Sequence, residues 1–201
     1  MLLQKGLLLP DARLSTVGGT SFAFSELRGR RFVVFGWGSW SPSAKKIAAL
    51  QRWRERNGVA LVTVAFDVTG PGAAMKVLKP AGADHILLID ATCTLTRRWG
   101  VRDLPFTLVV DEAGTVLLAG GAPDEKKIAA ALRSKVGRGR PRPEPPGEET
   151  KRQFSVEILL QACTNFLGRK RHDDAAAALK KAAELDPENA IIRGQLRAIS
   201  G

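Results

Sequence analysis

The sequence is short of the residues that carry most soluble chemistry. It holds only two cysteines, Cys93 and Cys163, and two histidines, His85 and His172. The cysteines lie far apart and show neither metal-ligand nor dithiol spacing, so two isolated buried thiols are expected, with no metal and no cofactor. No apolar run approaches the ~20 residues that a membrane span needs. The opening MLLQKGLLLP is too short for a secretory leader, whose apolar core runs about 7–15 residues before a cleavage site. As given, the sequence reads as cytoplasmic, or as periplasmic or exported if a leader lies outside it. Aromatic residues interleaved with basic ones, which would support base stacking on nucleic acid, are missing from any outer face the pattern defines.

Basic charge, in contrast, is plentiful. The formal net charge is +11, and the excess is spread over both ends rather than gathered in one tract. Lys45, Lys46, Arg52, Arg54 and Arg56 share one helical stretch, and Arg97, Arg98 and Arg102 are close in sequence. Such a surface favours acidic partners or polyanions, against the plainer alternative of a solvated face.

The pattern along the chain is α/β. Two short alternating runs flank Gly18-Gly19, a hairpin signal. Phe32–Phe35 is apolar on both faces, as expected of a central strand covered by helices. Ile47, Leu50 and Trp53 then recur at helical spacing, and Asn57-Gly58 supplies a stop. Val59–Phe66 reads as a second central strand ending in Asp67, which makes a right-handed βαβ unit. Residues 70–81 form a short helix or loop. His85–Asp90 is a further strand, with His85 a structural residue at its edge. Residues 91–99 form a short helix that Asp90 or Thr92 can cap. Leu108–Asp111 and Thr115–Leu118 form a hairpin, and Ala122–Lys135 a closing helix with Asp124 and Glu125 in its first turn.

Between the first strand and its helix lies Trp37-Gly38-Ser39-Trp40-Ser41-Pro42-Ser43-Ala44. Ser41 is a good N-cap and Pro42 suits the first helical position. With Ser25-Glu26-Leu27-Arg28-Gly29 and Trp99-Gly100-Val101-Arg102-Asp103-Leu104-Pro105-Phe106-Thr107, this stretch resembles the TlpA-type thiol-disulfide oxidoreductases of the thioredoxin superfamily over about residues 10–135. The resemblance implies a thioredoxin-like central mixed sheet flanked by helices. It puts Ser41 where the family has its nucleophilic cysteine and Ala44 where the resolving cysteine belongs. The buried aspartate that thioredoxins carry six residues before the first cysteine is Phe35 here. Pro105 aligns with the family's cis-proline, facing the redox motif, and Phe106 replaces a small polar residue that would otherwise leave room in the groove. Trp40, Ser41, Leu104, Pro105 and Phe106 are the implied peptide-binding residues.

Thiol-disulfide exchange needs a thiolate attacking a disulfide sulfur, which Ser41 cannot supply. Ser41 as a hydrolase nucleophile would need a base within hydrogen-bond reach, and neither histidine lies in a segment the fold brings to it. Cys93 is the alternative thiol, placed near the start of a short helix where a thiolate is stabilised.

GRGRPRPEPPGEET, residues 137–150, is rich in proline and reads as an extended linker. The division expected is a thioredoxin-like domain over 1–136, a Pro/Arg-rich linker over 137–152 and a helical region over 153–201. The last resembles a single tetratricopeptide repeat: Leu159, Ala162, Cys163, Phe166, Ala175, Leu179, Ala182 and Pro187 fall at that motif's packing spacing, and residues 190–199 look like its capping helix. One repeat pair cannot bury its face alone. It must pack on the first domain, on its own copy as a homodimer, or on a partner protein. The expectation is a redox-inactive, thioredoxin-like binding or assembly module, more a non-enzyme than an enzyme. The alternatives are a thiol oxidoreductase or peroxidase using Cys93, and a polyanion-binding protein.

Overall fold

The computed structural model describes residues 3–134, 139–141 and 147–200. A seven-stranded mixed sheet lies at the centre, in the order β2-β1-β5-β4-β3-β6-β7. The opening hairpin is β1 (Arg13–Thr16) and β2 (Ser21–Ala23). Strands β3 (Phe32–Trp37), β4 (Ala60–Ala65) and β5 (Ile86–Ile89) run parallel at the core. β6 (Phe106–Val110) pairs antiparallel with β3, and β7 (Val116–Gly120) with β6.

Alternation along each strand sorts the side chains into two layers. Val33, Phe35 and Trp37 of β3 face one side, with Leu61 and Ala65 of β4. There they meet α1 (Ile47–Asn57), α2 (Pro71–Leu78) and α4 (Glu125–Arg133) through Ile47, Leu50, Trp53, Ala74, Leu78 and Ile128. Gly58 closes α1 at φ 63°, a left-handed conformation that glycine takes without steric cost. Asp124 caps α4 by accepting from the amides of Lys126 and Lys127, so the helix read from Ala122 begins three residues later, at Glu125. Phe32, Val34, Val62, Val64 and Phe66 face the other side, with α3 (Thr94–Trp99) and the helical tail.

The tail consists of α5 (Glu148–Leu167), α6 (His172–Leu185) and α7 (Ala190–Ser200). Residues 148–152, assigned to the linker by sequence, are the first turns of α5, with Glu148 and Glu149 favourably placed at the helix N-terminus. Most of the rest of that linker lies outside the described residues. Its Arg140 is paired with Leu7, which lays this segment on the N-terminal strap. Leu159, Ala162, Cys163, Phe166, Ala175, Leu179 and Ala182 are all buried. Alanine at the facing positions lets α5 and α6 approach closely. Pro187, grouped with these by sequence, is exposed in the turn after α6; it stops the helix rather than packing. Of the three places open to the tail's apolar face, the structure uses the first. Phe166, Leu159 and Ala162 join one continuous core with Trp40, Leu104 and Phe106, and α5 packs against α3. Among the described residues no helix is long and apolar enough to cross a membrane.

Candidate functional site

Parallel strands deliver their C-terminal ends to one edge of the sheet, where α/β folds place chemistry. Here β3 ends in Trp37 and runs through Gly38-Ser39-Trp40 into a 3₁₀ turn, Pro42–Lys46, ahead of α1. Ser41 caps that turn: its Oγ accepts from Ser43 N at 3.3 Å and lies 2.7 Å from Ser43 Oγ. The Trp40 indole lies over Gly38, where an added Cβ would stand 2.4 Å from the ring. No larger residue fits at Gly38 without moving Trp40.

Under this turn sits a carboxylate that sequence reasoning missed. Asp67, just past β4, is fully buried and accepts a 2.6 Å hydrogen bond from Ser39 Oγ, with Ser39 N–H also directed at its carboxylate. Burial pushes Asp67 up to about 6, against the pull of the Ser39 donors and of Arg171. The signal was present as an acidic residue closing an apolar strand that ends beside Ser39. Phe35, the position compared with the thioredoxin aspartate, lies in the opposite layer.

The second signature is in place. The Leu104–Pro105 peptide is cis. Leu104 and Phe106 are buried and Pro105 is half-buried. Phe106 does not crowd a groove, as its size had implied. Its ring turns inward over Gly36, its register partner on β3, and packs edge-on to Phe66 and Trp99.

What lies over Trp40 and against Ser39 and Leu104 is the tail. Phe166 meets the Trp40 ring edge-on at 6.4 Å. Arg169 Nη1 donates to Ser39 O at 3.4 Å, and Gln161 Nε2 reaches Leu104 O at 3.5 Å. Lys181 Nζ ties α6 to the sheet edge by donating to Val68 O and Ala91 O, at 3.1 and 2.9 Å. Arg102 pairs with Glu157 and lies 4.8 Å over the Phe154 ring. Trp40 and Ser41 are 1 % and 6 % exposed, so these two members of the expected groove are largely buried. Pro105 keeps one open side, a cleft of about 470 Å³ shared with Lys5, Asp103 and β7.

Cys93 is not the activated thiol that its place before α3 suggested. It takes the N-cap position in a left-handed conformation, φ 54°. Asp90, not a thiolate, accepts the first free amides of α3, from Thr94 and Leu95. Burial first, and the Asp90 charge second, push the Cys93 thiol up to about 12. Cys163 is buried as well, and burial raises its thiol. Ala44 is buried in the α1 layer.

His85, read as a structural residue, has two partners. Its Nδ1–H donates to Gln51 Oε1 and its Nε2 accepts from Thr63 Oγ1. It precedes β5, at the far end of the parallel strands from Ser41. His172 is exposed at the start of α6. Among the described residues no cluster of His, Cys, Asp or Glu side chains has the makings of a metal site.

The likenesses to known proteins agree with this geometry. No curated protein matches by sequence. The fold matches a DsbE thiol:disulfide interchange protein from Chlorobium tepidum at 27 % identity, covering 65 % of this chain and 99 % of that one, with a TM-score of 0.56. It also matches a secreted Mycobacterium tuberculosis disulfide oxidoreductase homologous to E. coli DsbE, at 20 % identity, 60 % and 93 % coverage and a TM-score of 0.54. A thiol-disulfide oxidoreductase from Bacteroides fragilis matches at 18 % identity, 63 % and 97 % coverage and a TM-score of 0.55. A Redoxin family model matches residues 4–132, the sheet domain and well over half of the sequence; the chain belongs to the Redoxin family.

Proposed function

We propose that the chain is a redox-inactive relative of the thiol-disulfide oxidoreductases and works as a protein-binding or assembly module. The observation that carries this reading is the state of position 41: a serine stands there, capping a turn, with α5 and the α5–α6 turn packed over its neighbours. A hydroxyl cannot enter disulfide exchange, and little of Ser41 is exposed. The tail resembles a single tetratricopeptide repeat whose stacking partner is its own sheet domain. Binding then falls to the open side of Pro105 and to the outer surface of the tail, where Ile191 is 68 % exposed, with another protein or a second copy as the partner.

A thiol oxidoreductase or peroxidase built on Cys93 has the family behind it. The burial of that thiol and its high pKa speak against it. Disulfide-reductase and peroxide turnover of the pure protein, beside a Cys93→Ser variant and a true thioredoxin, separates the two. No turnover in either form fits the binding module. Turnover that vanishes in Cys93→Ser would overturn it. Polyanion binding through the basic surface is the third reading, and would show as binding lost steeply with salt.

A further inference from the structure

Among the described residues, two fully buried carboxylates lie beside the tail, Asp67 and Asp90; Asp90 is taken up by the amides of Thr94 and Leu95 within α3, whereas Asp67 lies at the seam between the sheet domain and α6. On the sheet side it is held by Ser39 Oγ and Ser39 N–H. On the tail side Arg171 lowers and Asp174 raises its proton affinity. Those two residues pair with each other at 2.7 Å, and the Arg171 guanidinium lies 4.5 Å over the Phe166 ring. Arg169, in the turn before α6, donates to the carbonyl of the same Ser39. Val68, the next residue, accepts from Lys181 of α6. His172 opens α6 but faces solvent.

We propose that Asp67 makes closure of the tail over the sheet domain pH-dependent, the seam sealing more tightly when this carboxyl group takes up a proton. A carboxylate shut away from water without a full complement of donors is costly, and protonation removes that cost. In the closed form burial holds Asp67 near 6. Lifting the tail admits water and returns the group toward its ordinary 3.8. Between those values the closed form holds a proton that the open form releases. Closure is therefore favoured as pH falls through this window and loses that contribution as pH rises through about 6. Two pH units correspond to at most about a hundredfold in the closure equilibrium.

The test is hydrogen exchange on the full chain at pH 5 and pH 7.5, corrected for intrinsic rates. Amides of α5 and α6 are read against those of β3 and β4, in the wild type, Asp67→Asn and His172→Gln. In the wild type and His172→Gln, tail protection should fall up to about tenfold relative to the strands on going to pH 7.5. In Asp67→Asn it should stay level. The same pH dependence in Asp67→Asn, its loss in His172→Gln, or an equal fall in tail and strands would overturn the proposal. If Asp67→Asn does not fold, the carboxyl titration of Asp67 in the wild type and Arg171→Gln decides. It should move upward in the variant, and an unmoved titration would contradict the seam described.

Discussion

Gly36 and Phe106 face each other across β3 and β6, and the Phe106 ring fills the space that a side chain at Gly36 would need. A Cβ built on Gly36 would lie 2.0 Å from Phe106 Cε1. The residue after the cis-proline is thus large because a central strand carries a glycine opposite it. Gly36→Ala should destabilise the protein by about 1–3 kcal/mol through overpacking. Phe106→Ala should cost about 3–5 kcal/mol through the cavity it leaves. The double variant should cost less than the sum, because the two changes share one volume. Urea unfolding midpoints of the three variants check this.

Phe166 anchors the tail by its edge-on contact with Trp40 and is fully buried. Phe166→Ala should cost about 3–5 kcal/mol and let water reach the Trp40 indole. A red shift in tryptophan emission under native conditions is the expected sign, together with faster exchange in α5. An unchanged spectrum would mean that Trp40 is covered by something other than the tail.

His85 is held neutral at neutral pH. Desolvation first, and the nearby Arg54 cation second, bring it from the ordinary 6.5 down to about 4, with Asp84 opposing. The unfolded chain therefore binds a proton that the folded chain does not. Stability should fall as pH drops from 6.5 toward 4, by up to about 3 kcal/mol. Asp67, shifted upward, acts in the opposite sense: its contribution grows as pH falls through about 6. The two partly cancel in the wild type. His85→Gln should flatten the acid-side loss, and Asp67→Asn should steepen it. Denaturation at pH 4.5 and 7 for both variants separates them.

Cys93 should resist alkylation. With its thiol near 12 and its side chain buried, almost none is thiolate at pH 8 and none is accessible. Iodoacetamide should label it only in denaturant, at a rate set by unfolding. Labelling of the native protein within minutes would return Cys93 to consideration as a reactive group.

Most of the sheet domain was legible because its signals are local and agree with one another. The apolar strand Phe32–Phe35, the helical spacing of Ile47, Leu50 and Trp53, and Gly58 as a stop each name an element without knowledge of its neighbours. The buried set of the tail was legible for the same reason, since Leu159, Ala162 and Phe166 recur at helical spacing. What stayed hidden depends on tertiary placement. Nothing in the local sequence says that Phe106 turns inward, because that depends on Gly36 across the sheet. Asp67 looked like a strand end until the turn carrying Ser39 was laid above it. Cys93 looked like a thiol at a helix start. Its burial depends on what packs around α3; only the Asp90 cap of that helix was legible locally. Where the tail would dock was an open choice, because an apolar helical face specifies that it must be covered and not by what.

The central claim is that Ser41, in the turn carrying Ser39 and Trp40 that the chain's own tail packs against, is closed off from solvent. A single thiol at that position reports on it directly: Ser41→Cys in a Cys93→Ser, Cys163→Ser background, reacted with a thiol-specific chromogenic disulfide at pH 8. With Ser41 6 % exposed, the account expects labelling at least about a hundredfold slower than in the denatured chain, because reaction waits on local opening. Labelling of the folded protein as fast as that of the denatured chain would show the site to be open and contradict the account.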